Sequence, residues 1–166
     1  MSKSEFLLLI PGLIYGVGVV DLIKVTFKKH YWEIYAWAIV LFLVLILQWY
    51  NFYENIDQAV ENKLMFTLMM FSPLIFTRGC YLLTPTDEME SKAYFLKYRK
   101  AFFLNIVALI IANSLLQYFL MAVPDARSFG RLLFLPLMIV ASYWDNMWFR
   151  LGCAILFYVV YAQYFI

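Results

Sequence analysis

Asp21 and Arg78 stand out chemically because each lies inside an otherwise apolar run. A charge held in hydrocarbon costs about 2.5–3.5 kcal/mol on insertion scales, so each needs a mate or a task. Each precedes the end of its run by about six residues. The two runs are the first and third, which cross in the same direction. That spacing predicts similar depth and a salt bridge between Asp21 and Arg78. Glu33, Asn105, Asp145, Arg150 and Lys24 fall near the same face, so the pattern predicts a polar layer. Such a layer can neutralise itself and hold helices in register. It can equally be a site for an ion, a proton or a lipid headgroup, and the residues leave both readings open.

Asn113 and Gln117 stand one helical turn apart near the middle of the fourth run, with Ser114 beside them. Polar side chains there commonly bond a neighbouring helix, worth about 0.6–2 kcal/mol each, or else line a substrate path. Gly12-x-x-x-Gly16 would allow close helix approach. Pro73 and Pro136 are expected to kink their helices and free carbonyls that could bind a cation.

Catalysis finds little support. His30 is the sole histidine, placed beside Lys28 and Lys29, and there is no H-E-x-x-H, G-x-S-x-G or P-loop. Asp21 and Asp145 could be imagined as an aspartyl pair, but neither sits in a recognisable motif. Cys80 and Cys153 both lie in apolar segments, and two thiols without histidines do not make a metal site. No catalytic residue, metal site or cofactor is expected, and the chain is not read as an enzyme.

The elements that must position these residues follow from composition. Of 166 residues, 65% are apolar, 20% aromatic and 14% charged, with mean hydropathy +0.77. Soluble domains are about half apolar and a quarter charged. Water could not accommodate so much hydrocarbon surface in a fold of this size, so lipid is the expected solvent. The net charge of +2 and the lack of any long basic block point away from nucleic acid.

A helix needs about 20 residues to cross roughly 30 Å of hydrocarbon. On that measure the chain reads as all-α: one transmembrane helix bundle over residues 1–166, with spans at about 6–27, 31–53, 64–84, 100–123, 129–144 and 147–166. The first is read as permanent, since Pro11-Gly12 interrupts it and no A-x-A-like cleavage site follows. The fifth is short and must extend through Phe129 with Arg131 snorkelling outward; a re-entrant hairpin is the alternative. Thr86 is expected to cap an interfacial helix starting with Asp87 and Glu88, with Tyr94, Phe95 and Tyr98 in the headgroup zone. Glu54 to Lys63 reads as a loop.

Basic residues set the orientation. The odd loops carry Lys24, Lys28, Lys29, Lys92, Lys97, Arg99, Lys100 and Arg150, against Lys3, Lys63, Arg127 and Arg131 elsewhere. That bias predicts cytoplasmic odd loops and both termini outside. Trp32, Trp49, Tyr50, Tyr53, Trp144 and Trp148 fall near span ends, as an aromatic belt requires. Three spans followed by three would permit an inverted repeat, but Pro11, Pro73 and Pro136 do not respect that offset.

Gly16-Val17-Gly18, Asp21, Tyr31-Trp32-Glu33, Trp37 and Gln48-Trp49-Tyr50, together with Tyr94-Phe95 and Tyr98-Arg99-Lys100-Ala101-Phe102-Phe103, resemble small uncharacterised bacterial membrane proteins of about six spans. The resemblance covers about the first 120 residues of this chain. It implies a bacterial inner membrane and carries no activity and no site.

Two functions remain in view. One is a small transporter or channel for an ion or small solute, using the layer around Asp21 and Arg78. The other is a non-transporting accessory subunit or a membrane-perturbing effector. The bilayer is the expected partner, and a second copy of the chain is a candidate one.

Overall fold

A computed structural model describes residues 3–27, 30–86, 89–120 and 132–162. Among these the chain is helical, in the order α1 (Lys3–Phe27), α2 (Trp32–Glu61), α3 (Lys63–Leu83), α4 (Ser91–Leu120), α5 (Phe134–Tyr143) and α6 (Met147–Ala162). Four contain stretches long and apolar enough to cross a membrane: Leu8–Phe27, Trp32–Gln58, Lys63–Leu83 and Ser91–Tyr118. The 10 residues of α5 and the 16 of α6 extend only about 15 and 24 Å at 1.5 Å per residue. The expected beginning of the fifth span at Phe129 and Arg131 lies outside the described residues, as do Asp87, Glu88 and the ends of the fourth and sixth spans.

Several boundaries differ from expectation for identifiable reasons. Nothing between Trp32 and Glu61 is glycine or proline, so α2 continues through the Glu54–Glu61 segment read as loop. Asn62 alone separates α2 from α3, its Oδ1 accepting from the amides of Leu64 (3.1 Å) and Met65 (3.2 Å). That is the satisfaction an N-terminal helical turn requires. Among the described residues no separate interfacial helix forms. Residues 91–100 are the first turns of the unbroken α4, and Tyr94 and Phe95 are buried at 4% and 1% exposure rather than facing outward. Their packing accounts for this: Phe95 lies against Phe102, and the Tyr94 hydroxyl reaches the Tyr81 carbonyl of α3.

Pro136 occupies the first turn of α5, where the amide it lacks would have no helical partner anyway. Pro11 and Pro73 do sit inside helices, and α1 and α3 continue through them.

α3 packs against α1, α2 and α4; α5 lies on α4, and α6 on α2 and α5. Between them sit Trp37, Phe76, Phe102 and Phe103, all fully buried. The Trp37 ring meets those of Phe102 and Phe103 edge-on, at 5.7 and 5.0 Å. The exterior is as oily as the interior, with Leu13, Phe27, Leu133 and Trp148 all more than two-thirds exposed. An apolar shell of that extent marks contact with lipid or another protein.

Of the Gly12/Gly16 pair, Gly12 lies at a close approach of α1 to α2, where a Cβ would be 3.1 Å from the Trp49 ring, and the close approach to α3 comes at Gly18. A Cβ on Gly18 would lie 3.0 Å from Phe76 and 3.2 Å from Thr77, whereas one on Gly16 would meet nothing within 4 Å. Thr77 uses the proximity to donate its hydroxyl to the Ile14 carbonyl at 2.9 Å.

Candidate functional site

The short connections place the end of α1, the start of α2, the end of α3, the starts of α4 and α6 and the end of α5 together at one end of the bundle. Asn146 ends the Trp144–Asn146 turn and caps α6, accepting from the Phe149 amide at 3.2 Å. Arg150, one turn into α6, is thereby aimed across the bundle at Glu33 in the first turn of α2.

The two meet as a fork. Arg150 Nε donates to Glu33 Oε2 at 2.8 Å, and Nη2 donates to Oε1 at 2.9 Å. Arg150 is 1% exposed and Glu33 0%. Removing two charges from water costs several kcal/mol per ion, and only bidentate geometry with the remaining groups satisfied returns it. The surroundings meet that demand. Tyr31 donates its hydroxyl to Glu33 Oε1 at 2.7 Å, and Arg150 Nη1 donates to Asp145 Oδ1 at 3.1 Å. Arg99 also donates to Asp145, and the Phe95 ring centroid lies 6.0 Å from the guanidinium carbon. Two acids and two arginines thus sum to zero formal charge.

Of the residues expected in one polar layer, Glu33, Asp145 and Arg150 come together, and Arg99 joins them. Asp21 does not pair with Arg78. Its Oδ1 accepts from Lys24 Nζ at 2.8 Å, a contact one turn along its own helix. Arg78 is exposed and makes no ion pair among the described residues. Asn105 is buried elsewhere, donating Nδ2 to the Ile75 carbonyl at 2.8 Å. Gly79 makes room for it, since a Cβ there would lie 2.9 Å from that nitrogen. Cys80 and Cys153 are free and buried.

Farther along α2 and α4 lies a second constellation. A cavity of about 50 Å³ is bounded by Gln48, Asn51 and Asn55 of α2, Asn113 and Gln117 of α4, and Tyr161 of α6, with Met69 of α3 closing one side. One water needs only about 10–15 Å³ on this measure, so there is room for more than one. Some of the lining polar groups are already engaged. Ser72 donates to Asn113 Oδ1 at 2.7 Å, Asn55 Nδ2 donates to the Asn51 carbonyl at 2.8 Å, and Tyr15 donates to Gln48 Oε1 at 2.7 Å. Gln48 itself is 5% exposed, and its Nε2 has no hydrogen-bond partner among the described residues. A buried N–H in that condition costs about 1–3 kcal/mol unless something supplies an acceptor.

Asn113 and Gln117 drew attention in the sequence; Gln48, Asn51, Asn55 and Tyr161 did not. The signal was present. Residues 48, 51 and 55 follow the i, i+3, i+7 spacing of a single helix face, in a segment otherwise rich in aromatic residues. Among the described residues no three His, Cys, Asp or Glu side chains converge as a metal site would require.

Comparison with protein-family models, with curated proteins and with solved structures finds no match for this chain.

Proposed function

We propose that this chain is a multi-pass protein of a bacterial inner membrane, with six spans and both termini outside, that passes a small polar solute through the amide-lined cavity. The observation that carries this reading is the buried Gln48 Nε2, an N–H donor with no mate among the described residues, at the wall of a cavity large enough for water. Carboxamides offer donors and acceptors side by side, which suits a neutral dipolar guest. Among the described residues no carboxylate lines the cavity, so a bare cation there would lose its hydration without a countercharge. A neutral molecule of a few heavy atoms is the substrate class this favours over a metal ion. The charged end, by contrast, is read as the lock that holds α2, α4 and α6 in register.

Purified protein in liposomes tests the reading. Shrinkage and reswelling under gradients of small neutral solutes should be faster than in protein-free vesicles, and Gln48→Leu should remove the difference. Vesicles no leakier than the protein-free control, across neutral solutes and ions alike, would defeat it. A second reading, a non-transporting accessory component, is favoured by the charge neutrality of the Glu33, Arg150, Asp145 and Arg99 cluster, and silent vesicles are what it expects.

A further inference from the structure

We infer that the seam between α3 and α4 is a docking site for an anionic glycerophospholipid, with its phosphate on Arg78 and an acyl chain lying in the groove below. This rests on the membrane embedding proposed above and is independent of transport. Arg78 lies five residues before the end of α3 at Leu83, about 7.5 Å along the axis. A guanidinium there can snorkel to the headgroup zone while its stem stays on apolar surface.

The groove has room for a chain. Its volume is about 540 Å³, with Leu74, Ile75 and Arg78 on one wall and Ala101, Asn105 and Ala108 on the other. These positions follow i, i+1, i+4 along α3 and i, i+4, i+7 along α4, so each set forms one continuous stripe. The alanines open the seam, because a larger side chain at either position would fill it. Asn105 spends its Nδ2 on the Ile75 carbonyl, which holds the two walls together at the level of the arginine.

Charge selects the headgroup. Lys24 is paired with Asp21, Arg150 with Glu33, and Arg99 with Asp145. Arg78 makes no such pair among the described residues. An arginine on an apolar exterior calls for an acidic mate, and a phosphate offers the planar, two-oxygen match that guanidinium binds best. A zwitterionic lipid brings the same phosphate with a cationic group beside it, so the net anionic lipid is preferred.

Native mass spectrometry of the detergent-solubilised protein, offered phosphatidylglycerol or phosphatidylcholine of identical chains, decides the matter. Wild type should retain phosphatidylglycerol preferentially, and Arg78→Gln should lower that retention about tenfold, as loss of a charge-assisted bond implies. Ala108→Leu leaves the arginine in place and fills the groove, so it should lower retention too. Equal retention of the two lipids by wild type overturns the inference without recourse to any variant, as does wild-type retention by both Arg78→Gln and Ala108→Leu. Displacement by excess glycerol phosphate would assign the site to a soluble phosphate and overturn the lipid reading. Recovery of the chain as a monomer in detergent-free buffer would instead defeat the membrane embedding itself.

Discussion

Glu33 and Arg150 place their donors and acceptors on each other and on Tyr31 and Asp145, whereas Gln48, on the same α2 helix, keeps an N–H that nothing answers. Both groups are more than nine-tenths buried. The contrast lies in the direction of the stakes. A buried ion pair is tolerable only when complete, so the Glu33–Arg150 fork itself has little capacity left for a ligand, although Arg99 Nε at its rim is buried with no hydrogen-bond partner among the described residues. A buried amide with one unmet donor costs far less and leaves a vacancy that a passing dipole can fill. Charge density alone is therefore a poor guide to where a membrane protein meets its substrate, since the most charged place can be the most fully occupied by the protein itself.

The largest effect should come from breaking the complete end. Glu33→Gln strands the Arg150 guanidinium and Arg150→Gln strands the Glu33 carboxylate, each at about 3–5 kcal/mol. Either single variant should denature at markedly lower temperature in detergent. The double variant should recover much of the loss, because no uncompensated charge remains. Thermal denaturation of all three checks this. Additive losses in the double variant would mean that the two residues are not partners.

A smaller effect is expected at an amide that is complete. Gly79→Ala would put a Cβ 2.9 Å from Asn105 Nδ2, pushing that nitrogen off the Ile75 carbonyl. Overpacking of this kind costs about 1–3 kcal/mol. A loss of that size in the melting profile would show that Asn105 belongs with the finished contacts and not with the cavity. An unchanged melting profile would show that the α3–α4 seam yields freely.

How much of this was legible in the sequence depends on what each feature required. Four apolar helices were plain, because roughly 20 residues without interruption leave few alternatives. The ends were not. α2 runs past the apolar stretch because Glu54, Asp57 and Glu61 are adequate helix residues with no breaker among them. The fork of Glu33 and Arg150 joins residues 117 apart in sequence; spacing placed them at one face but could not show that they touch. Asp21 and Arg78 failed as a pair because a nearer cation, Lys24, sat one turn away on the same helix. Sequence reasoning weighed depth and neglected that local competitor. Half of the cavity was found through Asn113 and Gln117, and the other half was missed because Gln48 was noted only among the residues carrying the family resemblance and Asn51 and Asn55 were not singled out.

At the cavity, the expected change in stability is slight and the change in function large. Replacing Tyr15 by Phe together with Gln48 by Leu removes a hydrogen bond and the unmet donor at once, leaving neither partner stranded. Such paired replacements are often neutral, so the melting temperature should shift by the equivalent of less than about 1 kcal/mol. Solute flux should nevertheless fall to the protein-free level. A double variant that is strongly destabilised would move Gln48 into the same category as Glu33, and the distinction between the two regions would dissolve.

The smallest effect separates the buried part of the charged end from its exposed rim. Asp145 has a side chain that is 68% exposed, so solvent screening holds its contribution below about 1 kcal/mol. Partial burial works to raise its pKa, but the bond from Arg150 and the charges of Arg99 and Arg150 overcome this and hold the carboxyl below its ordinary 3.8. With the folded value depressed, the unfolded chain binds the proton first as pH falls. The contribution of Asp145 is therefore fully present above about pH 4 and fades as the pH drops through the folded value. Asp145→Asn should melt slightly below wild type at pH 7, and the gap should close in strong acid. A gap that persists unchanged below pH 3 would mean that Asp145 acts through its shape in the Trp144–Asn146 turn and not through its charge, leaving Glu33 as the sole carboxylate that Arg150 needs.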